Sequence, residues 1–311
     1  MDLLAEYSLF ALKTITIVIA LLFLMVGFFS ISRKPKPKLE ITSLNKHYDD
    51  IKSKMTKEIF GLKSKKKKKN KEEKPTCYVI DFIGDIKASQ VEQLRDSISA
   101  VLAIAKPTDE VILCIESPGG SVNGYGLAAA QLQRLREKQI PLTVCIDKVA
   151  ASGGYLMACV ANHIIAAPFA IIGSIGVVAQ IPNFHRLLQK NNIDVELLTA
   201  GEYKRTLTMF GENTDKGRQK FKEDLELIHQ NFSDYVLANR QQLDMSKIAT
   251  GEHWLAKDAL NLGLVDALQT SDDYLNGKMD LFNTFKITFH SKQTLIAKLL
   301  NPVAQLLHPW A

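Results

Sequence analysis

The distribution of apolar and polar positions divides the chain into an apolar start, a basic stretch and a longer region of alternating character. Residues 14–32 read TITIVIALLFLMVGFFSIS with no charged side chain. As a helix this run would span about 28 Å, close to the roughly 30 Å hydrocarbon layer of a bilayer. The pattern predicts an N-terminal transmembrane anchor over residues 1–32. A cleaved signal peptide is the competing reading; Asp2, Glu6, the length of the run and the poor small-residue site at Ser30 and Ser32 weigh against it. Residues 33–75 hold Pro35, Pro37 and five consecutive lysines, Lys65 to Lys69, and predict a basic flexible linker.

From Cys77 onward short β-rich runs alternate with helical stretches. Strands are expected at 78–84, 110–117, 141–147 and 192–199, and helices at 89–105, 122–137 and 214–242, with a short helix near Trp254. Strands alternating with crossover helices imply an α/β fold with a mostly parallel sheet covered on both faces. Residues 164–181 form a second uncharged run, but Pro168, Gly173 and Gly176 interrupt it, so it reads as a buried strand and turn rather than another span. Residues 76–290 are thus expected to form one domain, followed by a C-terminal apolar tail over 291–311 that could lie on lipid or at an oligomer interface.

Charge changes the picture in one place. Residues 31–75 hold 16 Lys/Arg against 6 Asp/Glu, so the net +6 of the 311-residue chain belongs to that stretch and the remainder is mildly acidic. Beside an anchor, such a run suits anionic lipid headgroups; a nucleic-acid tail is the alternative, and the run lacks the aromatic interleaving that would favour it. The flanking lysines and arginines follow the apolar run, which points the carboxy-terminal bulk toward the cytoplasm. Cys77, Cys114, Cys145 and Cys159 sit singly in apolar runs, as buried inert thiols do, and no zinc-ligand spacing is present.

Three places could carry chemistry. Glu116-Ser-Pro-Gly-Gly-Ser121 follows a strand and precedes a helix, where a turn can present backbone N–H groups to an oxyanion or simply reverse the chain. Ala150-Ala-Ser-Gly-Gly-Tyr155 places Ser152 at a helix start, as either an N-cap or a nucleophile. His163 and His185 are the nearest histidines in the sequence that follows, and both suit structural roles. Lys204 is the alternative base; a lysine in that role needs burial to lower its pKa by about 3 units.

The segments ESPGGSV (116–122), DKVAASGGYLMA (147–158), GSIGVV (173–178), GEYKR (201–205) and WLAKDALNLGLVD (254–266) resemble, in order and spacing, the signal peptide peptidase A family of serine–lysine membrane peptidases, most closely its SohB branch with one anchor and one catalytic module. The resemblance covers roughly residues 75–290 and implies a ClpP/crotonase-like α/β fold. It makes Ser152 the nucleophile and Lys204 the general base, with Gly120 and Gly153 N–H groups as the oxyanion hole and Ser174 orienting the lysine amine. It further implies a homo-oligomer with shared active sites and hydrophobic peptide substrates such as signal-peptide remnants or membrane-protein segments; with no HExxH, Walker A or GxGxxG pattern in the sequence, no metal or cofactor is expected, nor is nucleic acid. The family places the domain on the far side of the bacterial inner membrane, opposite to the charge bias. The family usually shows an Arg before the Trp/Phe, where this chain reads Gly251-Glu-His-Trp254. A crotonase-like acyl-CoA enzyme and a non-catalytic membrane scaffold are the rival functions.

Overall fold

The computed structural model describes residues 7, 8, 10–19, 38–61 and 74–290. The chain divides into two compact units, Met1–Glu40 with Phe289–Ala311, and Ile41–Thr288. In the first, residues 10–19 form helix α1. No helix among the described residues is long and apolar enough to cross a membrane, and residues 20–32 of the expected anchor lie outside the described residues. The expected C-terminal tail, 291–311, also lies outside them.

The basic stretch is not linker throughout. Lys38–Ser43 forms strand β1 and Leu44–Phe60 forms helix α2. Ser43 caps the helix start by accepting from Lys46 N, and Gly61, at φ +64°, ends it in the left-handed conformation that glycine tolerates. Lysine is a good helix former, so a lysine-rich segment with a cap at each end can fold where its charge suggests solvated coil.

The main sheet has seven strands in the order β1-β10-β2-β3-β4-β6-β9. They are β2 (Thr76–Ile83), β3 (Glu110–Glu116), β4 (Leu142–Ile146), β6 (His163–Ala166), β9 (Ala267–Leu268) and β10 (Asn283–His290), with β1 at one edge. Every pairing from β10 to β9 is parallel, with Val79 opposite Ile112, Ile112 opposite Thr143 and Val144 opposite Ile164. Strands buried on both faces read as continuous apolar runs, and β4 is buried at all five positions. Helices α3 (Val91–Leu102) and α4 (Val122–Glu137) connect them and bury one face each, through Leu94, Ile98 and Val101 and through Tyr125, Leu132 and Leu135. A second sheet, β5-β7-β8, joins Val149–Ala151, Ile171–Gly173 and His253–Leu255; β5 and β7 are parallel, and β8 is antiparallel to β7.

Helix α5 (Gly153–Ala158) is followed by α6 (His185–Lys190), the polar-faced α7 (Asp215–Asn239), and the short helices α8 (Met245–Ile248), α9 (Ala256–Asn261) and α10 (Ser271–Met279). One expectation fails: residues 192–199 form no strand, and all eight are exposed, because their apolar side chains meet no sheet edge. The short helix expected near Trp254 is α9, which starts at Ala256, while Trp254 itself lies in β8. The uncharged run 164–181 is buried at Ile164–Ala166, Ala170, Ile172, Gly173 and Ile175, is exposed at the Pro168-Phe169 turn and at Ile171, and emerges after Ile175, leaving Val178 90% exposed.

Candidate active site

Strand β3 ends at Glu116 and leads into Ser117-Pro-Gly-Gly-Ser121 ahead of α4. Ser117 extends the pairing by one bridge: its N–H donates to Val149 O at 2.9 Å, and its carbonyl accepts from Ala151 N at 3.0 Å. This lays the glycine turn beside the end of β5, where Ser152 stands. The approach leaves no space for a side chain at Gly119, since a Cβ there would lie 2.7 Å from both Gly153 N and Ser152 Cβ. A φ of +91° at Gly119 is the second reason for glycine.

Ser152 adopts φ +50° and ψ −119°. A serine held in so sparsely populated a conformation costs about 1–3 kcal/mol and persists only where its surroundings enforce it. Here the backbone does so: Ser152 N donates to Gly173 O at 2.7 Å, and Ser152 O accepts from Leu156 N at 2.9 Å in the first turn of α5. The residue occupies the N-cap position, yet its side chain makes no capping hydrogen bond. The hydroxyl therefore does not act as a cap. A strained serine between a strand and a helix is the geometry of a nucleophile elbow.

Two N–H groups flank this serine. Gly153 opens α5, where the first amides have no acceptor within the helix. Among the described residues, neither Gly153 N nor Gly120 N donates to a backbone carbonyl. Gly119 N, by contrast, donates to Ser117 Oγ at 3.1 Å. Gly120 is pinned from behind: Ser121 N donates to Ile86 O at 2.8 Å, and a Cβ on Gly120 would stand 2.2 Å from that oxygen.

Beneath the turn lies a buried polar chain. Tyr125 Oη donates to Asp85 O at 2.8 Å, so the 2.6 Å contact between Ser117 Oγ and Tyr125 Oη must be donated by the serine. Burial pushes the Tyr125 phenol above its ordinary range, which keeps it a donor. The Tyr125 ring also fills the space beside Gly153, where a Cβ would lie 2.3 Å from Cγ. One tyrosine thus touches both sides of the elbow.

Behind Ser152, Gly173 has φ +102°, and a Cβ on it would meet the Trp254 ring at 2.7 Å. Ser174, at φ +53°, donates its N–H to Glu252 O at 2.6 Å, and Gly251 N donates to Ile175 O at 3.1 Å. The stretch from Gly251 to Trp254 therefore supports the loop that holds Ser152 N and Ser174.

Ser152 is followed by Gly153 and lies against Gly119 and Gly173, so Gly120 and Ser174 are each one residue from its neighbours. No hydrogen bond, ion pair or strand pairing among the described residues joins Lys204 to Ser152. Lys204 is exposed, its N–H donating to Gly201 O at 3.2 Å. It lies on an arm, residues 177–211, whose base is tied by Phe184 N to Met209 O at 2.7 Å and by the stacked rings of Phe184 and Phe210. Leu198 on this arm is 89% exposed. His163 Nδ1 lies 3.6 Å from Asp266 Oδ2, and His185 opens α6; neither is hydrogen-bonded to Ser152. Burial raises the Cys77 and Cys159 thiols, as suits inert side chains. Among the described residues no cluster of His, Cys, Asp and Glu could hold a metal ion.

The sequence marks the Glu116–Ser121 turn as a whole but assigns no separate role to Ser117 or Gly119, and it misses Tyr125. Tyr125 reads as one more apolar position of an amphipathic helix, and nothing in the sequence marks its hydroxyl.

Comparison with known proteins completes this picture. Residues 134–284 match the model of peptidase family S49, and residues 2–132 match that of the peptidase family S49 N-terminal region. The two matches meet inside α4, so Gly120 falls in one and Ser152 in the other. A probable protease SohB of Haemophilus influenzae is 46% identical over 96% of this chain and 92% of that protein. A probable protease SohB of Buchnera aphidicola is 48% identical over 88% of this chain and 99% of that protein. Among solved structures, a 1510-N membrane-bound stomatin-specific protease in complex with a substrate peptide aligns at TM-score 0.45 and 15% identity, covering 75% of this chain and all of that one. This chain belongs to peptidase family S49 and is a serine peptidase.

Proposed function

We propose that the chain is a membrane-anchored endopeptidase in which Ser152 and Lys204 form the catalytic dyad and hydrophobic peptide segments are the substrate. The observation that carries this reading is the strained Ser152 at the start of α5, with an uncapped hydroxyl and the Gly119-Gly120 turn against it. Ser152 Oγ attacks the peptide carbonyl carbon and passes its proton to the Lys204 amine. The carbonyl electrons move to oxygen, which the Gly120 and Gly153 N–H groups stabilise. As the C–N bond breaks, the Lys204 ammonium protonates the leaving amine. Water then releases the acyl group from Ser152 by the same steps. Ser174 orients the lysine amine.

A lysine can serve as base only where its ammonium is desolvated. Lys204 is exposed on an arm that also exposes Val178, Leu187, Ile193, Leu197 and Leu198. A second copy covering that arm would bury the apolar side chains and the amine together, which supports a homo-oligomer with active sites shared between copies, on a ClpP/crotonase-like fold. Residues 1–32 provide the anchor in the bacterial inner membrane, and substrates such as signal-peptide remnants or membrane-protein segments follow from that placement. The test is hydrolysis of a hydrophobic signal-peptide-like fluorogenic substrate by the full chain. The reading expects activity to vanish in Ser152→Ala and in Lys204→Ala; full activity in either variant removes that residue from the dyad.

A further inference from the structure

Helix α2 carries an apolar stripe that begins on the protein core and continues into solvent. Leu44, Tyr48, Ile51, Met55 and Ile59 recur at spacings of three and four and so share one face. Leu44 packs against the core cluster that holds Cys77, Val79, Ile112 and Cys145. The same first turn is fastened by Asn45, whose Nδ2 donates to Met279 O at 2.9 Å and Phe282 O at 3.1 Å and whose Oδ1 accepts from Thr284 N at 2.7 Å. Beyond that turn the stripe is uncovered: Ile51, Met55 and Ile59 are 41%, 56% and 62% exposed, and no residue of the helix is buried.

Charge identifies the occupant. At 100° per residue Lys52 and Lys54 stand on either side of the stripe, with Glu58 also at its edge, while Asp49, Ser53 and Lys57 lie on the far face. Directly after Gly61 the sequence holds Lys63, the run Lys65 to Lys69, Lys71 and Lys74, against only Glu72 and Glu73. The uncharged run that ends at Ser32 precedes α2 by only a dozen residues. An apolar face edged by lysines and continued by a polybasic segment is the pattern of a helix lying in an anionic membrane interface.

We propose that α2 lies in the headgroup region of an anionic bilayer, with Ile51, Met55 and Ile59 toward the acyl chains, and that it seats the α10–β10 corner of the peptidase unit on the membrane surface. The proposal rests on the anchored reading for the presence of the bilayer, and it assigns a second, peripheral contact that the anchor alone does not require.

The test uses the full chain reconstituted into vesicles of phosphatidylcholine, with or without phosphatidylglycerol, in which the acyl chains are brominated. Met55→Trp places a fluorophore on the stripe and Ser53→Trp places one on the opposite face, each read over the background of Trp254 and Trp310. Met55→Trp should be quenched several-fold more than Ser53→Trp, with the difference larger in the anionic vesicles. Equal quenching at the two positions, or none at either, in protein that floats with the vesicles overturns the docking and leaves the anchor standing. Protein that fails to float overturns both. A Met55→Cys variant that forms disulfides between copies, with Met55→Trp unquenched, overturns the proposal in favour of a second copy.

Discussion

Ser117 Oγ and Tyr125 Oη stand 2.6 Å apart beneath the turn that carries Gly119, and together they link the amide of Gly119 to the carbonyl of Asp85. The chain of donors runs one way, so each member has a single acceptor and the turn has a single position. Tyr125→Phe keeps the ring against Gly153 and removes only the hydroxyl. The buried Ser117 hydroxyl then has no acceptor and Asp85 O keeps only Ala88 N as a donor, which should cost about 1–3 kcal/mol, read as a lower urea midpoint at unchanged slope. Because the turn also places Gly120, kcat should fall more than KM changes. An unchanged kcat would mean that the network supports stability alone.

Gly119 and Gly126 offer a paired test. Gly119→Ala drives a methyl into Gly153 N and Ser152 Cβ at a φ of +91°, and it should abolish peptide hydrolysis. Gly126 lies in α4 with nothing within 4 Å of a Cβ placed there. Gly126→Ala should leave activity intact and raise stability by up to about 1 kcal/mol, the helix-propensity difference. Circular dichroism of both variants separates a lost site from a lost fold.

Arg240, only 5% exposed, donates to both oxygens of Asp266, at 2.7 and 2.9 Å, and to Gly263 O at 2.8 Å. Burial acts to raise the Asp266 carboxyl, but the guanidinium and Ile164 N outweigh it and hold the pKa below the usual carboxylate range. A carboxylate whose pKa is depressed by folding stabilises the native state above its unfolded pKa of about 3.9 and loses that contribution as pH falls through the lower folded value. Arg240→Met, which strands Asp266, should destabilise the chain by about 3–5 kcal/mol at neutral pH. The gap between wild type and Arg240→Met in urea melts should narrow below pH 4; a gap independent of pH would contradict the ion-pair account.

Leu198 is 89% exposed and packs on nothing that folding needs. Leu198→Glu should therefore keep the far-ultraviolet spectrum of the wild type while lowering its sedimentation coefficient and its activity together. A variant that assembles and cleaves normally would remove the arm from the interface.

Much of this arrangement is legible in the residues. Runs such as Val111 to Ile115 and Leu142 to Ile146 are buried parallel strands because apolar residues fill them apart from Thr143, whose hydroxyl is satisfied by Glu110, and the turns after β3 and β5 are marked by paired glycines. Other parts are not, for identifiable reasons. The α2 segment hides its three-and-four spacing among seven charged residues. Residues 192–199 have strand composition but no neighbouring edge in the single chain. Trp254 is held in β8 by pairing with Ile172 and by contact with Gly173, both distant in sequence. Lys204 is marked by its motif, yet the single chain leaves it exposed.

The most direct test of the shared dyad mixes two inactive proteins. Full-length Ser152→Ala and Lys204→Ala are each inert in this account, one lacking the nucleophile and the other the base. Unfolded together and reassembled as a mixture, they should regain hydrolysis of a hydrophobic peptide, because some sites would pair an intact Ser152 of one copy with an intact Lys204 of another. A mixture that co-assembles, as shown by co-purification of two differently tagged variants, and still cleaves nothing would contradict the shared site.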